Sequence, residues 1–172
     1  QDISFTIRRG ESVGYLGPNG AGKSTMIKML TGILVPSSGR LAVFGHAPHT
    51  HRSANARRIG VVFGQRSQLW WDLPVVDSFR LHKQIYGIDS GRFRENLDYL
   101  TGLLEIGDLI ERPVRQLSLG QRMRCELVLA LLHDPEILFL DEPTIGLDVV
   151  AKDVVRRFLA RVNVERELTI IL

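Results

Sequence analysis

Gly17-Pro18-Asn19-Gly20-Ala21-Gly22-Lys23-Ser24-Thr25 fits the pattern GxxxxGK[ST], and the segments on either side of it decide how the chain is read. Before it, Ser12 to Leu16 predicts a short strand carrying Val13, Tyr15 and Leu16. After it, Ser24 to Thr31 spaces Met26, Ile27, Met29 and Leu30 along one face of a helix. A row of phosphates needs many converging donors and no side chains in the way. Glycines meet both needs: the backbone N–H groups from Gly20 to Ser24 can curl round a β-phosphate, and the helix N-terminus adds partial positive charge. Asn19, Gly20, Ala21, Gly22, Lys23, Ser24 and Thr25 are therefore the predicted nucleotide-binding residues. Lys23 is expected to reach the β- and γ-phosphates, and Ser24 to offer its hydroxyl to Mg²⁺.

Composition bounds the remaining choices. The 172 residues are 44% hydrophobic and 24% charged, as in an ordinary globular domain with a real core. No run of 18 apolar residues is present, so nothing predicts a membrane-spanning helix. The single Cys125 excludes an internal disulfide, agrees with a reducing compartment, and falls in a stretch apolar enough to be buried. A net charge of +3 is spread over Arg57-Arg58, Arg122 with Arg124, and Arg156-Arg157, which read as solvated faces; no nucleic acid partner is expected. The chain opens directly before an alternating stretch and ends within the apolar run Leu168 to Leu172, so it is expected to be part of a longer domain.

Along the chain, Ile3, Phe5 and Ile7 alternate as in a strand, joined through the turn Arg8-Arg9-Gly10-Glu11 to the strand that feeds the phosphate loop as a hairpin. Pro36 to Gly39 predicts a turn and Arg40 to Phe44 a strand. The loop from Gly45 to Ser53 holds His46, His49 and His51, which have no cysteine or carboxylate beside them to complete a metal site. Ile59 to Phe63 reads as a strand buried on both faces. Helical patterns then take over in Val75 to Tyr86, in Arg92 to Leu104 with Asp89 or Ser90 as cap, and in Ser118 to His133. Ile137 to Leu140 is an apolar strand. Asp148 caps a long helix expected to present Val150, Val154, Phe158 and Val162 on one face before the last strand.

Strands alternating with helices predict an α/β fold with a mostly parallel sheet, whose ligands bind beyond the strand C-terminal ends. Both chemical motifs obey this. Ile137-Leu138-Phe139-Leu140 runs directly into Asp141 and Glu142. Asp141 stands where Mg²⁺ must be held on the γ-phosphate side, and Glu142 where a general base can polarise the attacking water.

Between these motifs Leu117-Ser118-Leu119-Gly120-Gln121-Arg122 resembles the LSGGQ signature of the ATP-binding cassette (ABC) ATPases, the nucleotide-binding subunits of ABC transporters. Gln65 resembles their Q-loop glutamine, and Ile145-Gly146-Leu147-Asp148 their D-loop. The resemblance covers essentially the whole chain. It implies a P-loop NTPase, RecA-like sheet with an inserted helical subdomain, the core in 1–67 and 134–172 and the helices in 68–133. It further implies a Mg²⁺-dependent ATPase that drives a separate membrane permease from the cytoplasmic face of the membrane. Glu142, Gln65 and Lys23 would be catalytic, and Ser24, Gln65 and Asp141 would hold Mg²⁺. Two cassettes would pair head to tail over two ATP molecules, so that Ser118, Gly120 and Gln121, with Asp148, face nucleotide on the partner; Leu119 replaces the first glycine of the pair.

The run from Gln65 through Trp70-Trp71 to Ser78 resembles the exporter-like branch. By the same resemblance Leu69, Trp70 and Trp71 would receive the permease, the other reading being ordinary core packing. The family's adenine-stacking aromatic and switch histidine would lie beyond the two ends of this sequence. A rival function is an ABC ATPase acting on ribosomes, nucleic acid or protein complexes. The short span from Gln65 to Ser118 leaves no room for the long coiled-coil insertion of its chromosome-type members.

Overall fold

A computed structural model of the chain describes residues 3–18, 20–64 and 66–172. Among the described residues four strands form one parallel sheet in the order β1 (Ser12–Val13), β4 (Thr169–Ile171), β3 (Ile137–Asp141), β2 (Ile59–Phe63). β2 and β3 run in full register from Ile59 opposite Ile137 to Phe63 opposite Asp141. The last strand in sequence thus lies inside the sheet, between the strand that feeds the phosphate loop and the strand that ends in Asp141.

Alternation along the strands splits the core in two. On one face Val62, Leu138, Leu140 and Ile170 pack against four helices: α3 (Val75–Tyr86), α4 (Ser90–Leu103), α5 (Leu119–Leu131) and α6 (Val149–Glu165). On the other, Ile59, Phe139 and Ile171 pack against Met26, Ile27 and Leu30 of α1 (Lys23–Leu30). Both faces of β3 are therefore covered, which is why its sequence is a continuous apolar run rather than an alternating one. A short helix α2 (Arg52–Ala56) leads into β2.

The helix termini follow local chemistry. Asp89 caps α4, its carboxylate accepting from the Gly91 and Arg92 N–H groups, and Asp148 caps α6 by accepting from Ala151 N–H at 2.7 Å. Ser118 and Gln121 form a reciprocal capping box at the start of α5. Gly87, with φ 62°, ends α3 in the left-handed conformation.

Three expectations are corrected. Residues 3–8 form no strand, and Ile3 and Phe5 are 54% and 48% exposed, so no hairpin precedes the phosphate loop; β1 pairs instead with β4, in parallel. Arg40 to Phe44 contributes only an isolated bridge between Val43 and His46. The two stretches instead border a cavity of 660 Å³ over Phe139 and Ile171. Alternation reports which face of a segment is apolar, whereas a ladder also needs a partner backbone about 4.8 Å away. Finally, Val150 is 73% exposed, and the covered stripe of α6 runs through Val155, Phe158, Leu159 and Val162.

Candidate functional site

Parallel strands end on one side of the sheet, and β1 and β3 are two strand spacings apart, about 10 Å, because β4 lies between them. The loop after β1 closes this gap. Gly20 and Gly22 hold φ at 84° and 88°, the left-handed region that glycine enters without steric cost, and a Cβ built on either would meet nothing within 4 Å. The space before these backbones is open, and Gly22 leads directly into the N-terminus of α1. Ala21 and Thr25 are exposed at the same helix start.

Across the gap, Ser24 donates its hydroxyl to Asp141 Oδ1 at 2.9 Å. Lys23 Nζ donates to the Gly17 and Pro18 carbonyls at 2.9 and 3.1 Å, and lies 3.8 Å from Glu142 Oε1. Four side chains from two distant segments thus meet: one cation, one hydroxyl and two carboxylates. Glu142 reaches this position through a backbone turn at φ 54°, a left-handed conformation uncommon outside glycine.

β2 closes the third side. Gly64 N–H donates to the Asp141 carbonyl at 2.9 Å, and a Cβ at Gly64 would stand 2.6 Å from the Glu142 carbonyl oxygen. Only glycine lets these backbones approach so closely. Asn19 and Gln65, both predicted site residues, lie outside the described residues.

The residues present fit a Mg–nucleotide. An open glycine cradle at a helix N-terminus suits phosphate oxygens. A hydroxyl beside a carboxylate is a small set of hard oxygen donors, of the kind that shares Mg²⁺ with phosphates and water. Among the described residues no cluster of three or more His, Cys, Asp or Glu side chains could hold a metal on its own.

Ser118, Gly120, Gln121 and Asp148 form a second cluster. Ser118 N–H donates to Gln121 Oε1 at 2.9 Å and Gln121 N–H to Ser118 Oγ at 3.2 Å. A Cβ on Gly120 would stand 3.0 Å from Ala151 Cβ, and one on Gly146 2.9 Å from Leu119 Cδ2. The leucine that departs from the signature therefore rests on the glycine before Asp148. Among the described residues no hydrogen bond joins this cluster to the phosphate loop.

Two features escape sequence reading. Glu126, within α5, is 4% exposed; burial raises its pKa, while hydrogen bonds from Ser67 and from the Gln68 and Leu69 backbone oppose the rise. Its only signal in the sequence is a charge between Cys125 and Leu127. His82, His133 and Tyr86 form one aromatic cluster, the two imidazole centroids 4.3 and 4.0 Å from the Tyr86 ring and 5.3 Å from each other, and burial pushes both imidazoles down, His82 to about 4. Cys125 is fully buried as expected, which pushes its thiol up to about 12.

Trp70 and Trp71 are 47% and 52% exposed and Leu69 is buried, so the tryptophans do not fill the core. Among the described residues no helix is long and apolar enough to cross a membrane.

A family model described as ABC transporter matches residues 1–145. The chain is 34% identical over 167 residues to the ABC transporter ATP-binding protein NatA of Bacillus subtilis, covering 97% of this chain and 68% of that protein. It is 35% identical over 153 residues to the Nod factor export ATP-binding protein I of Ralstonia nicotianae, covering 89% of this chain and 47% of that one. Among solved structures it resembles cbiO1 from Clostridium perfringens, part of the ABC transporter complex cbiONQ, with a TM-score of 0.85 and 31% identity over 98% of this chain and 68% of that chain.

Proposed function

The chain belongs to the ABC transporter family, and from that membership we propose that it is the ATP-hydrolysing core of a cassette that powers a separate membrane permease, in the direction of export. One observation carries the chemical part: Ser24 and Lys23 of the phosphate loop meet Asp141 and Glu142 within 2.9 and 3.8 Å, though the segments are far apart in sequence. The family's ATP-binding subunits are ATPases, and this arrangement supplies what phosphoryl transfer to water needs.

Backbone N–H groups from Gly20 to Thr25, with Asn19, bind the phosphates. Lys23 neutralises charge that builds on the β–γ bridge and the γ-phosphate, and its contact with Glu142 keeps the ammonium aimed into the site. Mg²⁺, when bound, draws charge from the terminal phosphate; the Ser24 hydroxyl, the Asp141 carboxylate and Gln65 would hold it. Glu142 accepts a proton from the attacking water and orients it, with Gln65 assisting. Ser118, Gly120, Gln121 and Asp148 act on the nucleotide of a second cassette, paired head to tail. The helical residues 68–133 form a subdomain on the core built from 1–67 and 134–172. Its exposed Trp70 and Trp71, over the buried Leu69, supply a permease contact at the cytoplasmic face of the membrane. The match to a Nod factor export protein and the run from Gln65 to Ser78 support export.

Glu142→Gln in the full-length protein tests both halves. Turnover should fall roughly 10²- to 10⁴-fold while ATP binding is retained, the usual range for losing a general base. Light scattering of the variant should show a monomer that becomes a dimer only with Mg-ATP. Unchanged turnover removes Glu142 from its role, and a monomer that binds ATP without pairing removes the self-pairing.

A further inference from the structure

Resting on the ATPase reading, we infer that Glu126 is a positioning residue for hydrolysis: its carboxylate fastens the backbone that follows Gln65 to the helix headed by Ser118. No motif points to it. The carboxylate is 4% exposed and sits between two fully buried neighbours, Cys125 and Leu127. Its Oε1 accepts from Ser67 Oγ at 2.5 Å, from Gln68 N–H at 2.9 Å and from Leu69 N–H at 3.5 Å. Its Oε2 is buried and has no hydrogen-bond partner among the described residues.

This is an expensive way to fill a helix position. An alanine or leucine there would leave no polar oxygen bare, so the arrangement is explained by what Oε1 holds. The segment it holds is also tied by the Gln68 side-chain amide, which donates to the Val61 carbonyl at 2.7 Å, and by Leu69, which is buried in the core, but its backbone N–H groups at 68 to 70 depend on side chains. The Leu69 N–H also donates to Ser67 Oγ at 3.2 Å, and the Trp70 N–H donates to Ser78 Oγ on α3 at 3.0 Å. Consecutive amides at 68, 69 and 70 are thus satisfied by side chains of α5, α3 and the segment itself rather than by a strand partner. On the side of the carboxylate packing is loose, because a cavity of 250 Å³ bordered by Gly64, Ser67, Trp71 and Arg122 adjoins it.

The connections on either side give the clamp its consequence. Upstream, Gly64 is hydrogen-bonded to Asp141 and nearly touches Glu142. Downstream lie the exposed tryptophans, with the Arg122 guanidinium 5.5 Å from the Trp71 ring. Glu126 lies two turns along α5 from its cap Ser118. A shift of the segment away from Glu126 would strip a buried carboxylate of its donors, so segment and helix keep one relative position or separate altogether.

The test is steady-state ATPase kinetics, ATP affinity and melting temperature of the full-length protein and its Glu126→Ala, Glu126→Gln and Ser67→Ala variants. Glu126→Ala should lower kcat roughly 10- to 100-fold with KM and ATP affinity within about 3-fold of the parent. Glu126→Gln keeps an acceptor oxygen and should recover kcat to within about 3-fold, and Ser67→Ala should lower it roughly 3- to 10-fold. The double variant Ser67→Ala/Glu126→Ala should be no slower than Glu126→Ala, since both act through one contact. Should Glu126→Ala fold poorly, Glu126→Gln and Ser67→Ala decide the matter. Unchanged kcat in Ser67→Ala and Glu126→Ala, or losses that track the melting temperature with no rescue by Gln, overturn the role. A parent protein without turnover overturns instead the ATPase reading beneath it, before any variant is compared.

Discussion

Lowering the pH from 7.5 to 5 should cost the fold about 1–2 kcal/mol through one side chain, His82. His133 Nε2 stands 2.9 Å from the Ile59 carbonyl, which only accepts, so that nitrogen carries the proton and Nδ1 is left to accept. His82 Nε2 stands 3.3 Å from that Nδ1 and donates to it. Both rings are then neutral, held against Tyr86, and they tie α3 to the start of β2. Burial, and then the neighbouring His133, lower His82 from 6.5 to about 4; burial also lowers His133, against the pull of the Ile59 carbonyl and Asp134. Both folded-state values lie below those of the unfolded chain, so the unfolded chain binds more protons as the pH falls below 6.5. The contribution is complete above that pH and is lost on acidification. For His82 alone the shift from 6.5 to about 4 gives about 2 kcal/mol at pH 5, and partial solvent access to the ring brings this towards 1. Urea unfolding at pH 7.5, 6.5, 5.5 and 5.0 measures it, with His82→Gln as reference. The parent should lose stability more steeply than the variant below pH 6.5 at constant m-value. Parallel curves, or a variant that loses stability more steeply than the parent below pH 6.5, would refute the assignment of neutral rings.

Gly64→Ala should lower unfolding stability by about 1–3 kcal/mol and reduce turnover, because its Cβ would press on the Glu142 and Asp141 carbonyls at 2.6 and 2.9 Å. A variant with the parent's melting temperature and kcat would show that these backbones do not approach so closely. Cys125, fully buried with its thiol pushed up to about 12, should stay unmodified by a thiol reagent at pH 8 in the native protein and react fully in denaturant; rapid native labelling would contradict its burial.

Legibility in the sequence tracked how local the deciding physics is. The helix Val75–Tyr86 was bounded as predicted because Pro74 and Gly87 fix backbone angles on their own, and the caps Asp89 and Asp148 act within three residues of themselves. The glycine loop after β1 and the Asp141-Glu142 pair at the end of β3 stood out because each is a run of particular residue types beside a strand. Their meeting across β4 was expected from parallel topology, and Ser24 to Asp141 at 2.9 Å realises it. Failures came where a partner decides. Ile3 to Ile7 and Arg40 to Phe44 have strand-like alternation but no neighbouring ladder. Val150 fits the helical period yet lies in the first turn of α6, 73% exposed. Glu126 and His82 are made unusual by Ser67 and His133, which no window around either residue contains.

Leu119, the departure from the motif, packs where a side chain on Gly146 would otherwise stand. The resemblance expects two adjacent glycines at the head of the signature helix, where the backbone must come close to its neighbours. Here the first is a leucine, and its Cδ2 occupies the space a side chain at Gly146 would need, 2.9 Å from the built Cβ, while Gly146 itself holds a left-handed φ of 74°. The second glycine is kept where Ala151 presses in, 3.0 Å from a Cβ at Gly120. Close approach is preserved, and α5 gains an apolar hold on the turn that carries the α6 cap. The starts of α5 and α6 therefore touch at two places, Leu119 on Gly146 and Gly120 on Ala151.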